Sequence, residues 1–249
     1  MHRAFVLYKI KKMESTLLGK LYLLPSGLGN EEPLDFLPTS TLKNLMDAKH
    51  FIVEEIKTAR RFLRKIGYKE NFENCFFCGI GKHSTDNIGE FLKHTKQGNN
   101  VFLMSEAGVP GVADPGSIAV ILAHQQNIKV IPLTGPSSIL MSLMASGLNG
   151  QHFCFNGYIP IDKIERIKKI KSMSFLVSKE NQTQLFIEAP FRNNQLVKDL
   201  LENTPDDLKL CIAMEITNEE EFIETKSIKS WKKSIPELHK KMCVFLLGK

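Results

Sequence analysis

Apolar residues along this chain fall into short unbroken runs, each closed by small or turn-forming residues. The clearest is Val101-Phe102-Leu103-Met104, followed by Ser105, Ala107, Gly108, Pro110, Gly111 and Ala113. Four apolar residues without a polar break read as a strand buried on both faces. The same pattern predicts strands over 20–24, 51–53 and 129–133, with Cys75-Phe76-Phe77-Cys78 a weaker candidate. Helical spacing fills the gaps: 39–46, 57–66, 87–97 and 117–126. Asp114 suits the N-cap of the last of these, and Pro115 its first helical position. The helix after Pro136 carries Ile139, Leu140, Met141, Leu143 and Met144, apolar around most of its circumference, so it is expected between layers.

Beyond Gly147 to Gly150 the regular alternation lapses. Strands are predicted over 153–155, 184–188, 209–216, 221–225 and 241–247, with a lysine-rich helix after Pro160 and another over 192–202. The order predicts an α/β protein of two α/β domains: an N-terminal extension over 1–18, a first domain over 19–133 and a second over 134–249. Their junction is the loop Thr134-Gly135-Pro136. Met13 is an alternative start to Met1, because the first strand begins only at Lys20.

Three loops stand at the carboxyl ends of predicted strands: Pro25 to Asn30, Ser105 to Gly116 and Thr134 to Ser138. Small residues after a buried strand let a ligand lie on the backbone itself. A helix start close behind favours an anionic group there. Such loops point to a ligand crevice at strand ends in an α/β fold. None has the GxGxxG spacing of a dinucleotide site.

Charge and cysteine content narrow the partners. The net charge of +6 permits an anionic partner such as RNA. Basic residues cluster at Lys57, Arg60, Arg61 and Arg64, and again at Lys163, Arg166, Lys168, Lys169 and Lys171. Such clusters are either solvated helix faces or phosphate contacts. Five dispersed cysteines fit a reducing cytoplasmic setting rather than a disulfide framework. Cys75 and Cys78 form one CxxC with no second pair at zinc spacing, so ordinary thiols are expected and no metal. No apolar run approaches the roughly 18 residues of a membrane span.

The motifs, in order, resemble those of the ribosomal RNA small-subunit methyltransferase I family, within the tetrapyrrole (corrin/porphyrin) methylase superfamily. They are Gly19-Lys20-Leu21-Tyr22 with Pro25 and Gly29-Asn30, Ser105 to Pro110 with Asp114-Pro115-Gly116, Pro132 to Ser137, and Ala145 to Leu148. Phe153 to Pro160 and Glu188 to Arg192 follow. The resemblance implies S-adenosylmethionine as donor, bound in a cleft between two α/β domains, a homodimer, and 2′-O-methylation of small-subunit ribosomal RNA. Donor contacts are then expected from Pro25, Ser105, Glu106, Ala107, Gly108, Val109, Ala113, Asp114, Ser137, Ala189 and Met214. RNA contacts are expected from Lys57, Arg60, Arg61 and Arg64.

Two departures stand out. The family carries a Glu-Asp-Thr-Arg tetrad where this chain reads Glu54-Glu55-Ile56-Lys57, and Asp usually stands in place of Glu106. A ribose hydroxyl is a poor nucleophile at neutral pH, so a base helps. Glu106 and Glu54 are the candidates, with Asp114 better suited to capping and Glu54 free to pair with Lys57 or Arg60. Two rival readings share these residues: a tetrapyrrole methylase, and a non-catalytic RNA-binding relic of the fold.

Overall fold

The structure, a computed structural model, describes residues 18–81 and 86–249. The question of Met1 against Met13, and all but the last residue of the expected extension, lie outside the described residues. The chain forms two compact units. One comprises the residues up to Gly27 with Glu31–Pro136, the other Leu28–Asn30 with Ser137–Lys249.

The first unit is built on five strands: β1 (Leu21–Leu24), β2 (His50–Val53), β3 (Phe76–Gly79), β4 (Val101–Met104) and β5 (Val130–Pro132). They are parallel throughout, in the order β3-β2-β4-β1-β5. Side chains alternate between faces along each strand. Tyr22, Leu24, Phe51, Val53, Phe102 and Met104 pack on one face with Leu45, Leu63 and Tyr68. Leu21, Ile52, Val101 and Leu103 pack on the other with Leu92, Ala119 and Ala123. Burial on both faces is why these strands read as continuous apolar runs.

Helices α1 (Pro33–Phe36), α2 (Thr39–Leu45), α3 (Ile56–Lys65), α4 (Ile88–Phe91) and α5 (Ser117–Gln125) connect them. α1 escaped the pattern, being a single turn. The helix expected over 87–97 is α4 followed by a 3-10 turn over Leu92–Gln97, in which the Thr95 hydroxyl returns to the Leu92 carbonyl at 2.8 Å. Asp114 is not the N-cap of α5; Gly116 is. One Asp114 carboxylate oxygen instead accepts from the N–H of Gly111 at 2.6 Å and of Gly116 at 2.8 Å. It closes the loop ahead of the helix, and Ala113 takes a left-handed φ of 61° to allow it.

The second unit holds a mixed sheet, order β6-β7-β10-β8-β9. Its strands are β6 (Phe153–Tyr158), β7 (Thr183–Ile187), β8 (Lys209–Met214), β9 (Phe222–Ser227) and β10 (Cys243–Gly248). β6 runs on past the expected 153–155, with its register slipping between Phe155 and Tyr158, where Gly157 has φ 66°. Helices α6 (Ser138–Ser146), α7 (Lys163–Glu180), α8 (Asn193–Asn203) and α9 (Ile228–Trp231) complete the unit. α6 is buried on one face only: Ile139, Ser142, Leu143 and Ser146 face inward, while Leu140 and Met144 are 52% and 82% exposed. Its outer side is apolar and bare, against the expectation of all-round burial, because a single sheet covers it.

α7 starts at Asp162, whose carboxylate accepts from the N–H groups of Ile164 and Glu165. Its inner face, Ile170, Met173 and Val177, packs with Leu196, Val197 and Leu200. Arg166 belongs to that buried face. Its Nε donates to Asp199 Oδ2 at 2.7 Å, and Nη1 donates to the Ile161 carbonyl at 2.6 Å. One member of the second basic cluster is therefore structural.

All five cysteines are free thiols. Cys75 lies 3.1 Å from the Tyr68 hydroxyl, and burial pushes the Cys78 thiol up to about 11. Among the described residues, no group of three His, Cys, Asp or Glu side chains is arranged to hold a metal ion. No described helix is long and apolar enough to cross a membrane.

Candidate functional site

In the first unit β1 and β4 are neighbours at the middle of the sheet. The chain leaving β1 travels toward β2, past β4; the chain leaving β4 travels toward β5, past β1. Such opposed connections lie on opposite faces. The two loops at these strand ends are thereby left facing one another at a switch point.

Hydrogen bonds stitch those loops together. The Ser26 hydroxyl donates to the Ser105 carbonyl at 2.7 Å, and the Ser26 N–H to the Gly108 carbonyl at 2.9 Å. Ser105 Oγ donates to the same Gly108 carbonyl at 2.9 Å, while the Gly108 N–H reaches the Gly27 carbonyl at 3.3 Å. Gly108 needs its φ of 71° to do this. Pro25 is buried beside them, and a Cβ at Gly135 would lie 2.2 Å from its ring. The third loop therefore packs on the first through a glycine. Ser26 was not among the expected site residues; its signal is a serine just past Pro25 at the end of a buried strand, where only a satisfied hydroxyl is tolerated.

Glu106 and Ala107 are exposed at the tip of the β4 loop, with Val109 half-buried. Glu54, at the end of β2, accepts the Glu106 N–H at 3.3 Å. Both carboxyls are held above the usual carboxylate range, mainly by burial. Glu54 adds to the effect on Glu106, and Asp114 to that on Glu54. The structure thus brings the two candidate bases together and pairs Glu54 with a backbone N–H rather than with Lys57 or Arg60. Asp114 has one oxygen committed to two N–H groups.

The expected RNA contacts on α3 divide. Arg60 lies over the rings of Phe72 and Phe77, at 5.4 and 4.9 Å. Arg64 sits 4.0 Å over Phe72 and donates to the carbonyls of Tyr68 and Glu70 at 2.5 and 2.9 Å. Lys57 and Arg61 carry their charges on exposed side chains.

The remaining expected residues belong to the second unit. Ser137 is the N-cap of α6, its hydroxyl accepting from the Leu140 N–H. Ala189 follows β7 and donates its N–H to the Glu188 carboxylate at 2.7 Å. Ile187 lies opposite Val244 and Met214 opposite Cys243, so Ala189 and Met214 stand at the same end of that sheet's strands. Glu188 also receives Arg192 Nε at 2.9 Å, which fixes the turn.

A ribosomal RNA small subunit methyltransferase I of Buchnera aphidicola subsp. Schizaphis graminum is 30% identical over 227 residues, covering 90% of this chain and 75% of that protein. The chain belongs to the ribosomal RNA small subunit methyltransferase I family. A member from Thermotoga maritima is also 30% identical, over 84% of this chain and 89% of its own. No family model matches the chain. Among solved structures, diphthine synthase superposes with a TM-score of 0.61 over 92% of this chain and 89% of its own, at 15% identity. The methyltransferase CobJ gives 0.58 over 93% and 94%, at 18%. Uroporphyrin-III C-methyl transferase from Thermus thermophilus, complexed with S-adenyl homocysteine, gives 0.54 over 93% and 98%, at 16%. The family thus shares its two-unit α/β fold with the tetrapyrrole methylases.

Proposed function

We propose that this protein transfers a methyl group from S-adenosylmethionine to a ribose 2′-hydroxyl of small-subunit ribosomal RNA. Family membership carries the reading: relatives at 30% identity are named for methylation of that RNA. The likeness to tetrapyrrole methylases supports the fold alone. Donor contacts are proposed from Pro25, Ser105, Glu106, Ala107, Gly108, Val109, Ala113 and Asp114, with Ser137, Ala189 and Met214 from the second unit. The first loops fit such a ligand. Ala107 is exposed with no bulk, and a Cβ at Gly111 would meet nothing within 4 Å. The backbone at Ala107 is therefore approachable by an amino-acid head.

When bound, the donor supplies an electrophilic methyl group. The chain's contribution is to hold the acceptor hydroxyl in line at about 3 Å and to accept its proton. Glu106 and Glu54 are proposed for the proton. The reading also implies a cytoplasmic enzyme, in keeping with five unpaired thiols. A homodimer that covers Leu140 and Met144 is proposed with it.

The deciding assay transfers tritium from labelled donor to small ribosomal subunits, with tetrapyrroles in parallel. Label is expected in RNA, in an alkali-stable dinucleotide, because a methylated 2′-oxygen cannot attack its own phosphodiester. Label in a tetrapyrrole, or in an alkali-labile nucleotide, overturns the reading.

RNA grip is tested separately on the two basic residues whose charge is free. Reversing Lys57 and Arg61 to Glu is expected to weaken RNA binding and to flatten its dependence on salt. The log–log slope should fall by about 1.4, at roughly 0.7 per lost phosphate contact on single strands. Donor affinity should not change. An unchanged slope would show the outer face of α3 to be merely solvated. Arg60 is unsuitable for this test, because its reversal would also disturb the stack on Phe72 and Phe77.

A further inference from the structure

We propose that the outer face of α7 binds an unpaired stretch of ribosomal RNA, with Phe175 stacked on a base and Lys168, Lys171 and Lys179 meeting phosphates. This rests on the reading that ribosomal RNA is the substrate. It adds a contact surface on the second unit to the one proposed on α3 in the first.

The sequence of α7 sets up two stripes. At about 100° per residue, Arg166, Ile170, Met173 and Val177 fall on one side of the helix, and all four are buried. Ile164, Lys168, Lys171 and Phe175 fall on the opposite side, at spacings of four, three and four. That outer stripe runs for about three turns, roughly 16 Å. Ile164 is 76% exposed on it and Phe175 59%. Lys168, Lys171 and Lys179 are exposed as well. A lone exposed phenylalanine needs no explanation. This one stands among cations. Lys171 and Lys179 are each four residues away, one turn before it and one turn after, where helical side chains are neighbours. Lys249, just past β10, donates its ammonium to the Ser178 carbonyl at 2.7 Å, three residues beyond Phe175. Lys168 meets Glu165 at 3.9 Å with both side chains largely in solvent, a pairing that holds the charge weakly.

The charge and the open ring together select the occupant. Every nucleic-acid base offers a flat face to an aromatic side chain, and the phosphates on either side of it carry the charge that lysines meet. A base must be unpaired to stack there, so the partner is a single-stranded or looped segment. A second copy of this chain is itself charged +6 and brings the same sign to the stripe. The bare apolar side of α6 suits a copy better, and it lies across the sheet from α7. α6 packs with Leu185, Ala213 and Leu246, whereas α7 packs with Phe186, Ile212 and Phe245. The two surfaces are therefore free to be occupied together.

The test uses the full chain without donor and a fluorescent single-stranded RNA of mixed sequence, read by anisotropy against salt. Reversing Lys168 and Lys171 to Glu should lower the log–log slope by about 1.4, at roughly 0.7 for each phosphate contact. Phe175→Ala should weaken binding roughly fivefold to a hundredfold and leave the slope alone, because a stacked base carries no salt dependence of its own. Phe175→Leu keeps apolar bulk without a ring and should bind as weakly as the alanine variant, whereas Phe175→Tyr should match wild type. Donor affinity by calorimetry should not change in any of them. With 4-thiouridine in the RNA, ultraviolet crosslinking should recover the peptide that contains Phe175. A wild type that does not bind the RNA, an unchanged slope in the lysine variant, a leucine variant as tight as wild type, or crosslinks confined to other peptides overturns the proposal. So does a Phe175→Ala chain that loses mass by light scattering while its RNA binding holds, which would give the face to a second copy. The functional reading fails separately. If label passes to small subunits while these variants bind RNA normally, the α7 face falls and the reading stands. If label passes to a tetrapyrrole while the slope and the crosslinks follow α7, the RNA face stands and the reading falls.

Discussion

Asp199→Ala should destabilise the second unit by about 3–5 kcal/mol, the usual cost of removing one partner of a buried ion pair. The Asp199 and Arg166 side chains are only 2% and 8% exposed. Asp199 Oδ2 accepts from Arg166 Nε at 2.7 Å, and its other oxygen accepts from Gln195 Nε2 at 3.1 Å. The substitution leaves a guanidinium among apolar side chains with only the Pro160 and Ile161 carbonyls to meet it. Replacing both partners by Met and Leu should cost far less, because no charge is then stranded. Urea denaturation followed by circular dichroism measures both. If the double replacement is as damaging as Asp199→Ala, the pair contributes more than it costs to desolvate.

Glu106→Gln should lower the methyl-transfer rate by about 10²–10⁴, the range typical of a positioned base. Donor affinity should stay near that of wild type, because the amide keeps the shape of the side chain. The pH profile makes the assignment sharper. A base works only when deprotonated, and Glu106 titrates above the usual carboxylate range. Activity should therefore fall with acid at a higher pH than an ordinary glutamate would allow, and Glu106→Gln should abolish that limb. Single-turnover transfer with saturating donor separates chemistry from binding. A Gln variant as fast as wild type would move the role to Glu54 or to the substrate itself.

The first sheet was legible because its strands are buried on both faces, so β1, β2 and β4 appear as pure apolar runs. The small-residue loops at their ends were legible for the converse reason, that nothing in them can build a core. What failed depended on partners far away in the chain. Asp114 precedes a helix and looks like a cap, yet its oxygen turns back to Gly111, a loop closure with no periodic signature. Arg60 and Arg64 look like a free basic face until Phe72 and Phe77 are folded against them. α6 looks buried all round, but its composition cannot say how many layers cover it.

The knot of Ser26, Ser105 and Gly108 also constrains when this protein can be made. Its first bond joins residues 79 apart in sequence. Among the described residues β1 pairs with β4 and β5, so it waits for these partners until strands well downstream of it have been synthesised. β2 and β3, by contrast, can meet at once. Contacts of long sequence separation form late and slowly. The loop at Pro25 thus gains its shape only after Gly108 has emerged. During synthesis the apolar β1 stays exposed to aggregation until those partners arrive.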